Sequence, residues 1–374
     1  MERILHVVNS MDIGGTETVL MNLNRQISHT EFQFDFVVHV PHECAYESEI
    51  LELGGRVFHT EKYVLSNYRS YLRWWREFLS RHPEYHIVHG HQGSSAAVCL
   101  REANRAGRVS IAHSHNTRNP ERNLRVLAWE LNSWPTRYIA KQFLACSIEA
   151  GIDRFGRNIV HSPHFHVMKN GIDVKRFEFN AAARTRLRAE LNLMESDFAV
   201  GHVGRFSSQK NHKWLLRVFK ALQTTYDNAA LLLVGQGELE DQIRDEAKAL
   251  GISSKVRFLG AHSNVEDYYS AMDIFCFPSV LEGLGMVAVE AQTSGLPVIA
   301  SEAVPLAADV GAGLLTRMSL EESSEEWAKV LLSHVGGSRA TRAAQFTREA
   351  GYDIVDVAMW LQDYYSRMLL HGLQ

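Results

Sequence analysis

The sequence predicts an α/β protein that contains two doubly wound parallel sheets. Short, apolar, β-branched runs alternate with longer amphipathic segments, and this alternation occurs in two successive sets. Nearly continuous apolar strands separated by helices are typical of parallel sheets with both faces covered. The chain has 374 residues, more than one hydrophobic core usually serves, so two domains are expected.

The first set of predicted strands occupies the N-terminal part of the chain. Its members are ILHVV (4–8), FQFDFVVH (32–39), RVFHT (56–60), HIVHG (86–90), VSIAH (109–113) and FLACS (143–147). Helix-like stretches lie between most of them, for example at 16–28 and 67–81. This alternation predicts a first doubly wound domain.

The pattern begins again after a polar, turn-rich stretch at 161–177, where the domain boundary is expected. The second set of strands is FAVGHVG (198–204), ALLLVG (230–235), KVRFLG (255–260), DIFCFPS (273–279) and PVIAS (297–301). Beyond it the pattern is helical, and DIVDVAMWLQDYYSRMLL (353–370) is amphipathic. The domains are therefore predicted at 1–167 and 168–352, followed by a C-terminal helix.

Composition argues for a folded protein and against several functional classes. A hydrophobic content of 45% and a charged content of 22% are ordinary for a globular protein. The formal charge of -4 argues against a nucleic-acid partner bound through bulk basicity. We predict no secretory signal and no membrane span, and the four well-separated cysteines favour free thiols in a reducing cytoplasm.

Ligands of open α/β sheets bind beyond the carboxyl ends of the strands, so the loops there are the candidate sites. After the first strand, Gly14 and Gly15 allow a tight turn, and Thr16 is expected to cap the following helix. The free amides of such a helix start can bind an anion. A plain strand-to-helix turn is the alternative interpretation.

A second candidate loop follows the strand at 198–204. Arg205 and Lys210 stand five residues apart there and can converge on a diphosphate, Arg as a planar fork and Lys as a mobile point charge. A solvated basic loop is the alternative. The glycines of VGQGELED (234–241) resemble a dinucleotide fingerprint only superficially, because the third glycine is missing.

The third candidate is VLEGLGMVAVEAQTSG (280–295), predicted as a loop followed by a helix. The amides of Gly283, Leu284 and Gly285 are expected to face an anion at the helix start. Glu290 lies a little over one turn into the helix, a position suited to the two hydroxyls of a ribose. Glu282 precedes the glycines; the alternative is a loop acid followed by a solvated helix glutamate.

Together these motifs resemble those of family 4 glycosyltransferases, a retaining family with the GT-B fold. The segment EGLGMVAVE (282–290) is similar to the family's E-x7-E motif, and HVVNSMDIGGTE (6–17), VMKNGID (167–173) and GRFSSQKNH (204–212) match neighbouring motifs in order. The resemblance spans nearly the whole chain and is closest in character to bacterial exopolysaccharide transferases.

The resemblance implies two Rossmann-like domains that face each other across a cleft, with the C-terminal helix, about 353–374, crossing back to the N-terminal domain. It implies an acceptor-binding N-terminal domain and a nucleotide-sugar donor bound mainly by the C-terminal domain. The expected product is a glycosidic bond with retained anomeric configuration, formed with the departing phosphate helping to deprotonate the acceptor. The expected donor is a UDP-sugar, and the expected acceptor is a glycan or a lipid-linked saccharide.

The resemblance also implies individual roles. Arg205 and Lys210 would hold the diphosphate and stabilise the leaving group, Glu290 would bind the ribose, and Glu282 would face the donor sugar. The amides of 283–285 would lie near the sugar and the phosphate, and Gly14 and Gly15 would approach the donor from the opposing domain. His115, after the fifth strand, would lie beside the reacting sugar; His113 is the alternative.

No metal or other cofactor is implied. The three histidines of HSPHFHV (161–167) lack carboxylate or cysteine partners in register, which favours an interdomain linker over a zinc site.

Two basic segments with interspersed aromatic residues, 67–83 and 118–143, are suited to peripheral contact with an anionic membrane. Such contact would place a cytoplasmic enzyme at the inner face of the plasma membrane, where a lipid-linked acceptor would be accessible. Ordinary helices with snorkelling arginines are the alternative.

Two rival functions share the predicted fold. A nucleotide-sugar 2-epimerase would convert the donor without an acceptor and would need further acid and base residues. A non-catalytic subunit would bind a nucleotide-sugar in support of a partner transferase. A dehydrogenase is not favoured, because G-x-G-x-x-G is missing.

Overall fold

The computed structural model describes residues 1–92, 96–115 and 133–372, which form two compact units. Unit 1 comprises Met1–Ile172 and Tyr352–Gln374, and unit 2 comprises Asp173–Gly351. Each unit contains one parallel sheet with helices packed against it. The predicted class, α/β with two Rossmann-like doubly wound domains, is confirmed.

Unit 1 contains a seven-stranded sheet with the order β3-β2-β1-β4-β5-β6-β7. Its strands are β1 (Glu2–Val7), β2 (Phe32–Val38), β3 (Val57–His59), β4 (Tyr85–Gly90), β5 (Val109–Ser114), β6 (Gln142–Ala145) and β7 (Phe165–Val167). The helices described in this unit are α1 (Gly15–Gln26), α2 (Glu47–Glu52), α3 (Tyr68–Arg81), α4 (Ala96–Arg105), α5 (Thr136–Ile139), α6 (Ile148–Phe155), α7 (Arg157–Val160) and the C-terminal helix, α16 (Ile354–Gly372).

Unit 2 contains a six-stranded sheet with the order β10-β9-β8-β11-β12-β13. Its strands are β8 (Phe198–Val203), β9 (Ala229–Val234), β10 (Val256–Gly260), β11 (Ile274–Phe277), β12 (Val298–Ser301) and β13 (Leu315–Met318). Its α-helices are α8 (Val174–Phe177), α9 (Ala181–Glu190), α10 (His212–Thr225), α11 (Glu240–Ala249), α12 (Val265–Ala271), α13 (Met286–Thr293), α14 (Ser324–Leu332) and α15 (Ala343–Glu349).

Central strands of both sheets are buried along their whole length. Every residue of β2, FQFDFVV, is buried, and β9, AALLLV, is equally enclosed. The acid in β2 is neutralised, since Asp35 accepts hydrogen bonds from Arg3 Nε at 2.6 Å and from the Tyr85 hydroxyl at 2.8 Å. A buried carboxylate is tolerated when it is paired in this way.

Helix α16 packs within unit 1, against α1 and the sheet. Leu361, Tyr364 and Tyr365 belong to the apolar core on that face. The Gln362 side-chain oxygen accepts a hydrogen bond from the Ser28 amide at 2.6 Å, which satisfies a donor beside the end of α1. The chain end and the N-terminal sheet therefore form one unit.

Two strands of the structure were not predicted from the sequence. Strand β7 lies in the turn-rich stretch that was interpreted as a linker, and β13 lies in a stretch without a predicted strand. Both are short edge strands, and their side chains are mostly half-buried or exposed. An edge strand that buries so little does not need a continuous apolar run, so its sequence carries little signal.

Candidate functional site

The loop after β8 lies beside the loop after β11, at the carboxyl edge of the unit 2 sheet. The Gln209 side chain donates to the Leu281 carbonyl at 2.8 Å, and the Asn211 side chain donates to the Pro278 carbonyl at 3.1 Å. Asn211 adopts a left-handed conformation, with φ 56°, immediately before α10. Asparagine tolerates this conformation better than most residues, and the turn places Lys210 over the neighbouring loop.

Lys210 and Glu282 meet at this point. The Lys210 Nζ atom lies 2.7 Å from Glu282 Oε1, and the two side chains are 16% and 7% exposed. The Ser279 hydroxyl donates to the same carboxylate oxygen at 2.5 Å. The ammonium also lies 4.8 Å from the centre of the Phe277 ring. A lysine held in this way has further N–H donors to offer an anion.

Arg205, the other predicted diphosphate ligand, is more exposed than Lys210. Its guanidinium forms an ion pair with Glu238 at 3.0 Å, and its side chain is 72% exposed. Glu238 belongs to VGQGELED (234–241), whose glycines resemble a dinucleotide fingerprint only superficially. Arg205 therefore has a competing anionic partner that an incoming phosphate would have to replace.

Helix α13 begins next to the Lys210–Glu282 pair. Its N-cap is Gly285, with φ 81°, and no side chain caps the helix start. A β-carbon at this position would lie 3.0 Å from the Phe277 ring, so glycine is required both by the conformation and by the space. Leu284 is buried and Gly283 is half-buried. The uncapped amides at this helix start form a potential anion site.

Glu290 lies on α13 and is half-buried. Its Oε2 atom accepts a hydrogen bond of 2.8 Å from the hydroxyl of Tyr269, which is completely buried. Desolvation raises the pKa of Glu290, while the Tyr269 hydrogen bond opposes that rise. Tyr269 therefore fixes one carboxylate oxygen and leaves the other for a ligand.

In unit 1, Gly14 and Gly15 form the turn from β1 into α1. Gly14 is the N-cap and has no side-chain cap bond, so the expectation that Thr16 caps this helix is wrong. The Glu17 carboxylate folds back to the space that a Gly14 side chain would occupy. Desolvation is the main cause that raises the pKa of Glu17. The helix start thus already has a carboxylate beside it.

His115 follows β5 and is buried, with both ring nitrogens close to polar partners. Its Nε2 lies 2.8 Å from His91 Nδ1, and its Nδ1 lies 3.3 Å from Asn170 Oδ1. Desolvation lowers the pKa of His115 to about 4. A substrate hydroxyl would therefore have to displace His91 or Asn170 to reach a ring nitrogen of His115.

His115 belongs to a set of five histidines, called here the histidine cluster. Its members are His6, His89, His91, His113 and His115. Two triads within the cluster have ring nitrogens close enough to bind a metal ion: His6, His89 and His91, and His91, His113 and His115. The linker histidines at 161–167 form no such triad within the described residues.

Three partners of the predicted site residues were missed from the sequence. Ser279 contacts Glu282, but a single serine carries no sequence signal of its own. Tyr269 contacts Glu290 but lies 21 residues before it, away from the motif. His91 had a detectable signal, because HGH (89–91) and HSH (113–115) place histidines at a spacing of two. Side chains with that spacing share one face of a strand.

Comparison with known proteins agrees with this architecture. Residues 13–176 match the family model described as Glycosyltransferase Family 4, and residues 183–333 match the one described as Glycosyl transferases group 1. EpsF of Bacillus subtilis (strain 168), named as a glycosyltransferase, is 34% identical over 365 residues, which cover 94% of this chain and 93% of EpsF.

Solved structures share the complete fold. Anabaena HepE in complex with UDP superposes with a TM-score of 0.81 at 20% identity, covering 98% of this chain and 100% of HepE. HepE in complex with UDP-glucose gives a TM-score of 0.79 at 21% identity, with the same coverage of both chains. Both are GT-B glycosyltransferase folds.

Fold and sequence together define a GT-B glycosyltransferase. The chain belongs to glycosyltransferase family 4, as the matches over both units and the EpsF relative show. The predicted family and the transferase class are thus confirmed, and the epimerase and the non-catalytic subunit are not favoured. Within the described residues, none of the helices combines the length and the apolar character that a membrane crossing needs.

Proposed function

We propose that this glycosyltransferase transfers a sugar from a UDP-sugar to a glycan or lipid-linked saccharide, with retention of anomeric configuration. The reaction would serve the synthesis of an exopolysaccharide or another surface polysaccharide. One observation carries the proposal. The Lys210–Glu282 pair, the uncapped start of α13 and Glu290 occupy consecutive positions at the carboxyl edge of one sheet.

The donor would bind to unit 2 with its phosphates toward positive groups. Lys210 and the amides at 283–285 would contact the diphosphate, because a cation and a helix start both favour negative charge. Arg205 would join them after leaving Glu238. Glu290 would accept hydrogen bonds from the ribose hydroxyls through the oxygen that Tyr269 does not use.

The choice of UDP is supported by relatives. HepE forms complexes with UDP and with UDP-glucose, and its fold matches this chain over nearly its whole length. The assignment to polysaccharide synthesis agrees with the resemblance to exopolysaccharide transferases. The proposed donor chemistry requires no metal ion, since Lys210, Arg205 and the helix start supply the positive charge.

In the proposed reaction, the acceptor oxygen attacks the anomeric carbon on the same face from which the leaving group departs. The bond between the anomeric carbon and the phosphate oxygen breaks, and UDP leaves with that electron pair. The acceptor proton passes to the departing phosphate. Lys210 stabilises the charge that develops on the phosphate, and Glu282 orients the ammonium and faces the sugar hydroxyls.

The residues assigned to the other unit are Gly14, Gly15 and His115. Gly14 and Gly15 would let the backbone approach the donor, and Glu17 would move aside as the phosphates arrive. His115 would face the reacting sugar once a ring nitrogen exchanges His91 or Asn170 for a substrate hydroxyl. Because desolvation lowers its pKa to about 4, His115 acts as a neutral donor or acceptor near pH 7.

Peripheral membrane contact of this cytoplasmic enzyme is proposed for part of the basic region. In 67–83, Trp75 is completely buried and Arg76 pairs with the buried Glu102, so these side chains serve the fold. Tyr68, within this segment, and Leu65, just before it, remain exposed and would contact a bilayer surface. In 118–143, residues 118–132 lie outside the described residues; among the rest, Tyr138 is exposed.

Acceptor-dependent release of UDP tests the proposed activity. The protein would be incubated with UDP-glucose and related UDP-sugars in EDTA, with and without a panel of glycan and lipid-linked saccharide acceptors. We expect UDP release that requires an acceptor and that falls strongly in Glu282→Gln. Conversion of the donor to its 2-epimer without an acceptor, or donor binding without turnover in any mixture, would support a rival function instead.

A further inference from the structure

The histidine cluster concentrates five imidazoles on one face of the unit 1 sheet. They come from β1, from β4 and the residue after it, and from β5 and the residue after it. Neighbouring ring centres are close, at 3.9 Å for His113 and His115 and 4.2 Å for His89 and His91. The side chains of the cluster are buried except His91, which is half-buried.

Several ring nitrogens in the cluster are unsatisfied. Within the described part of the chain, His6 Nε2, His89 Nε2 and both nitrogens of His113 are buried and have no hydrogen-bond partner. Buried polar atoms almost always have a partner, so an unsatisfied group suggests water, an ion or a functional role. His89 Nε2 and one nitrogen of His113 are such atoms within the two triads, and they point to a ligand that binds several imidazoles together.

Imidazole side chains suit a transition-metal ion. Metals bind neutral imidazole, and a proton competes with the metal for the same lone pair. Histidine is ordinarily neutral above about pH 6.5, so a cluster of five imidazoles offers lone pairs to a metal ion at neutral pH.

Two cluster members have the outer contacts that orient metal ligands. His89 Nδ1 lies 2.7 Å from the Tyr365 hydroxyl, and His115 Nδ1 lies 3.3 Å from Asn170 Oδ1. Each ring is thus held by its Nδ1, while its Nε2 remains on the side of the other cluster members. Metal-binding histidines commonly use their second nitrogen for a hydrogen bond of this kind.

We propose that the histidine cluster binds one divalent transition-metal ion, such as Zn²⁺, with His91 as an obligatory ligand. Both possible triads contain His91, and the ligand nitrogens within each lie within 4.8 Å of one another. Metal–nitrogen bonds of about 2.0 Å require nitrogens roughly 3.3 Å apart in tetrahedral geometry. His6 Nδ1 is 2.9 Å from His91 Nε2, and nitrogens that lie up to 4.8 Å apart would move together by up to about 1.5 Å when the ion binds.

The ligand set determines which ions can bind. Imidazole suits Zn²⁺, Ni²⁺, Cu²⁺ and Co²⁺, whereas Mg²⁺ and Ca²⁺ prefer oxygen ligands, and each triad consists of histidines alone. The bound ion would cross-link β1, β4 and β5 or two of these strands and would stabilise unit 1. The residues proposed to bind the donor phosphates lie in unit 2 and are not part of this site. His115 belongs to the cluster and also has a role in the proposed reaction; the triad of His6, His89 and His91 would leave it uncoordinated.

Metal titration of the protein without an affinity tag tests the proposal. After treatment with EDTA and dialysis, Zn²⁺ binding would be measured by calorimetry, and Co²⁺ binding by visible absorption. We expect one ion per chain, a Co²⁺ spectrum typical of nitrogen ligands in four- or five-coordinate geometry, and a higher melting temperature with Zn²⁺. Mg²⁺ and Ca²⁺ should leave the melting temperature unchanged.

Variants separate the cluster from surface histidines. His91→Gln should weaken Zn²⁺ binding by at least about 100-fold, because both triads contain His91. Tyr365→Phe leaves all five imidazoles in place; it should weaken binding about 10-fold in the triad that contains His89 and leave binding unchanged in the other triad. His86→Gln is the matched control, because His86 lies on the same strand as His89 but is half-exposed and pairs with Glu2. This control should bind Zn²⁺ like the wild type.

Two results would overturn the metal site: wild-type protein without stoichiometric Zn²⁺ binding, or His91→Gln with unchanged affinity. Circular dichroism checks that each variant is folded. If His91→Gln does not fold, the Zn²⁺ stoichiometry and the Co²⁺ spectrum of the wild type decide the question. Loss of transferase activity without loss of metal binding would leave this inference intact and would count against the proposed function alone.

Discussion

The Lys210 ammonium lies 2.7 Å from Glu282 Oε1, and this ion pair joins two loops whose residues are 72 positions apart. Both side chains are largely buried, and the Ser279 hydroxyl contacts the same carboxylate oxygen. The pair therefore fixes the position of a cation at the carboxyl edge of the unit 2 sheet. It also makes each partner dependent on the other for its neutralising charge.

Removal of Lys210 should lower both activity and stability. Lys210→Met leaves the Glu282 carboxylate without its cation. We therefore expect the free energy of unfolding to fall by about 2 to 4 kcal/mol. The double variant Lys210→Met, Glu282→Leu removes both charges and should recover most of that loss. Urea unfolding at pH 7.5 measures the difference; equal stability of the single and the double variant would contradict the buried pair.

Tyr269 should control the pH dependence of UDP binding through Glu290. A carboxylate accepts ribose hydrogen bonds better than a neutral carboxyl group, so affinity falls when Glu290 is protonated. The Tyr269 hydrogen bond favours the charged form. Tyr269→Phe should therefore raise the pKa of Glu290 further, and affinity should begin to fall at a higher pH than in the wild type.

The comparison requires UDP affinities by calorimetry between pH 5.5 and 8. At pH 8, Tyr269→Phe should weaken binding by about two- to five-fold, since one net hydrogen bond contributes about 1 kcal/mol or less. Tyr268→Phe serves as a control, because Tyr268 is the adjacent buried tyrosine. Identical pH profiles for the wild type and Tyr269→Phe would argue against Glu290 as the ribose ligand.

Arg205 should be more available for phosphate when Glu238 is neutral. Their ion pair is exposed, and such pairs contribute little to stability. Glu238→Gln should therefore leave the melting temperature unchanged and tighten UDP binding several-fold at low salt, whereas Arg205→Ala should weaken it about 10-fold. The gain in UDP affinity in Glu238→Gln should be smaller at high salt. Weaker UDP binding in that variant would contradict a competition between Glu238 and the phosphates for Arg205.

Unit 2 should lose stability in acid through His212. Desolvation lowers the pKa of this buried histidine from 6.5 to about 4. Between these values the unfolded chain binds the proton and the folded unit does not, so stability is lost as pH falls below 6.5. One such group contributes about 1.4 kcal/mol per pH unit over that interval.

His212→Phe should make the melting temperature less dependent on pH between 6.5 and 4. The Phe206 ring already stacks on His212, with centres 4.3 Å apart, so an aromatic replacement fits the neighbouring ring. His262→Phe replaces an exposed histidine in the same unit and should retain the wild-type dependence. An unchanged slope in His212→Phe would show that His212 does not link folding to protons.

The fold could be predicted from the sequence because the central strands are buried on both faces. Runs such as FQFDFVV and ALLLV permit few structures other than interior strands. The edge strands β7 and β13 could not be predicted in the same way, since they bury little. The segment 280–295 was predicted correctly as a loop followed by a helix, which is α13.

The candidate site was predictable only in part. Motif spacing identified Lys210, Glu282 and Glu290, but it could not reveal the contact between Lys210 and Glu282, which depends on how two distant loops meet. The pairing of Arg205 with Glu238 also depends on tertiary structure. The spacing of two in HGH (89–91) and HSH (113–115) was a usable signal for a shared strand face, but only the sheet order brings β1, β4 and β5 together.

The most direct test of the central claim is calorimetric titration of UDP, in EDTA, into the wild type, Lys210→Met and Glu290→Ala. We expect one site per chain in the wild type and at least about 10-fold weaker binding in each folded variant, since each variant loses a charged contact to the ligand. Binding of UDP with the same affinity in all three proteins would contradict the donor site assigned to unit 2.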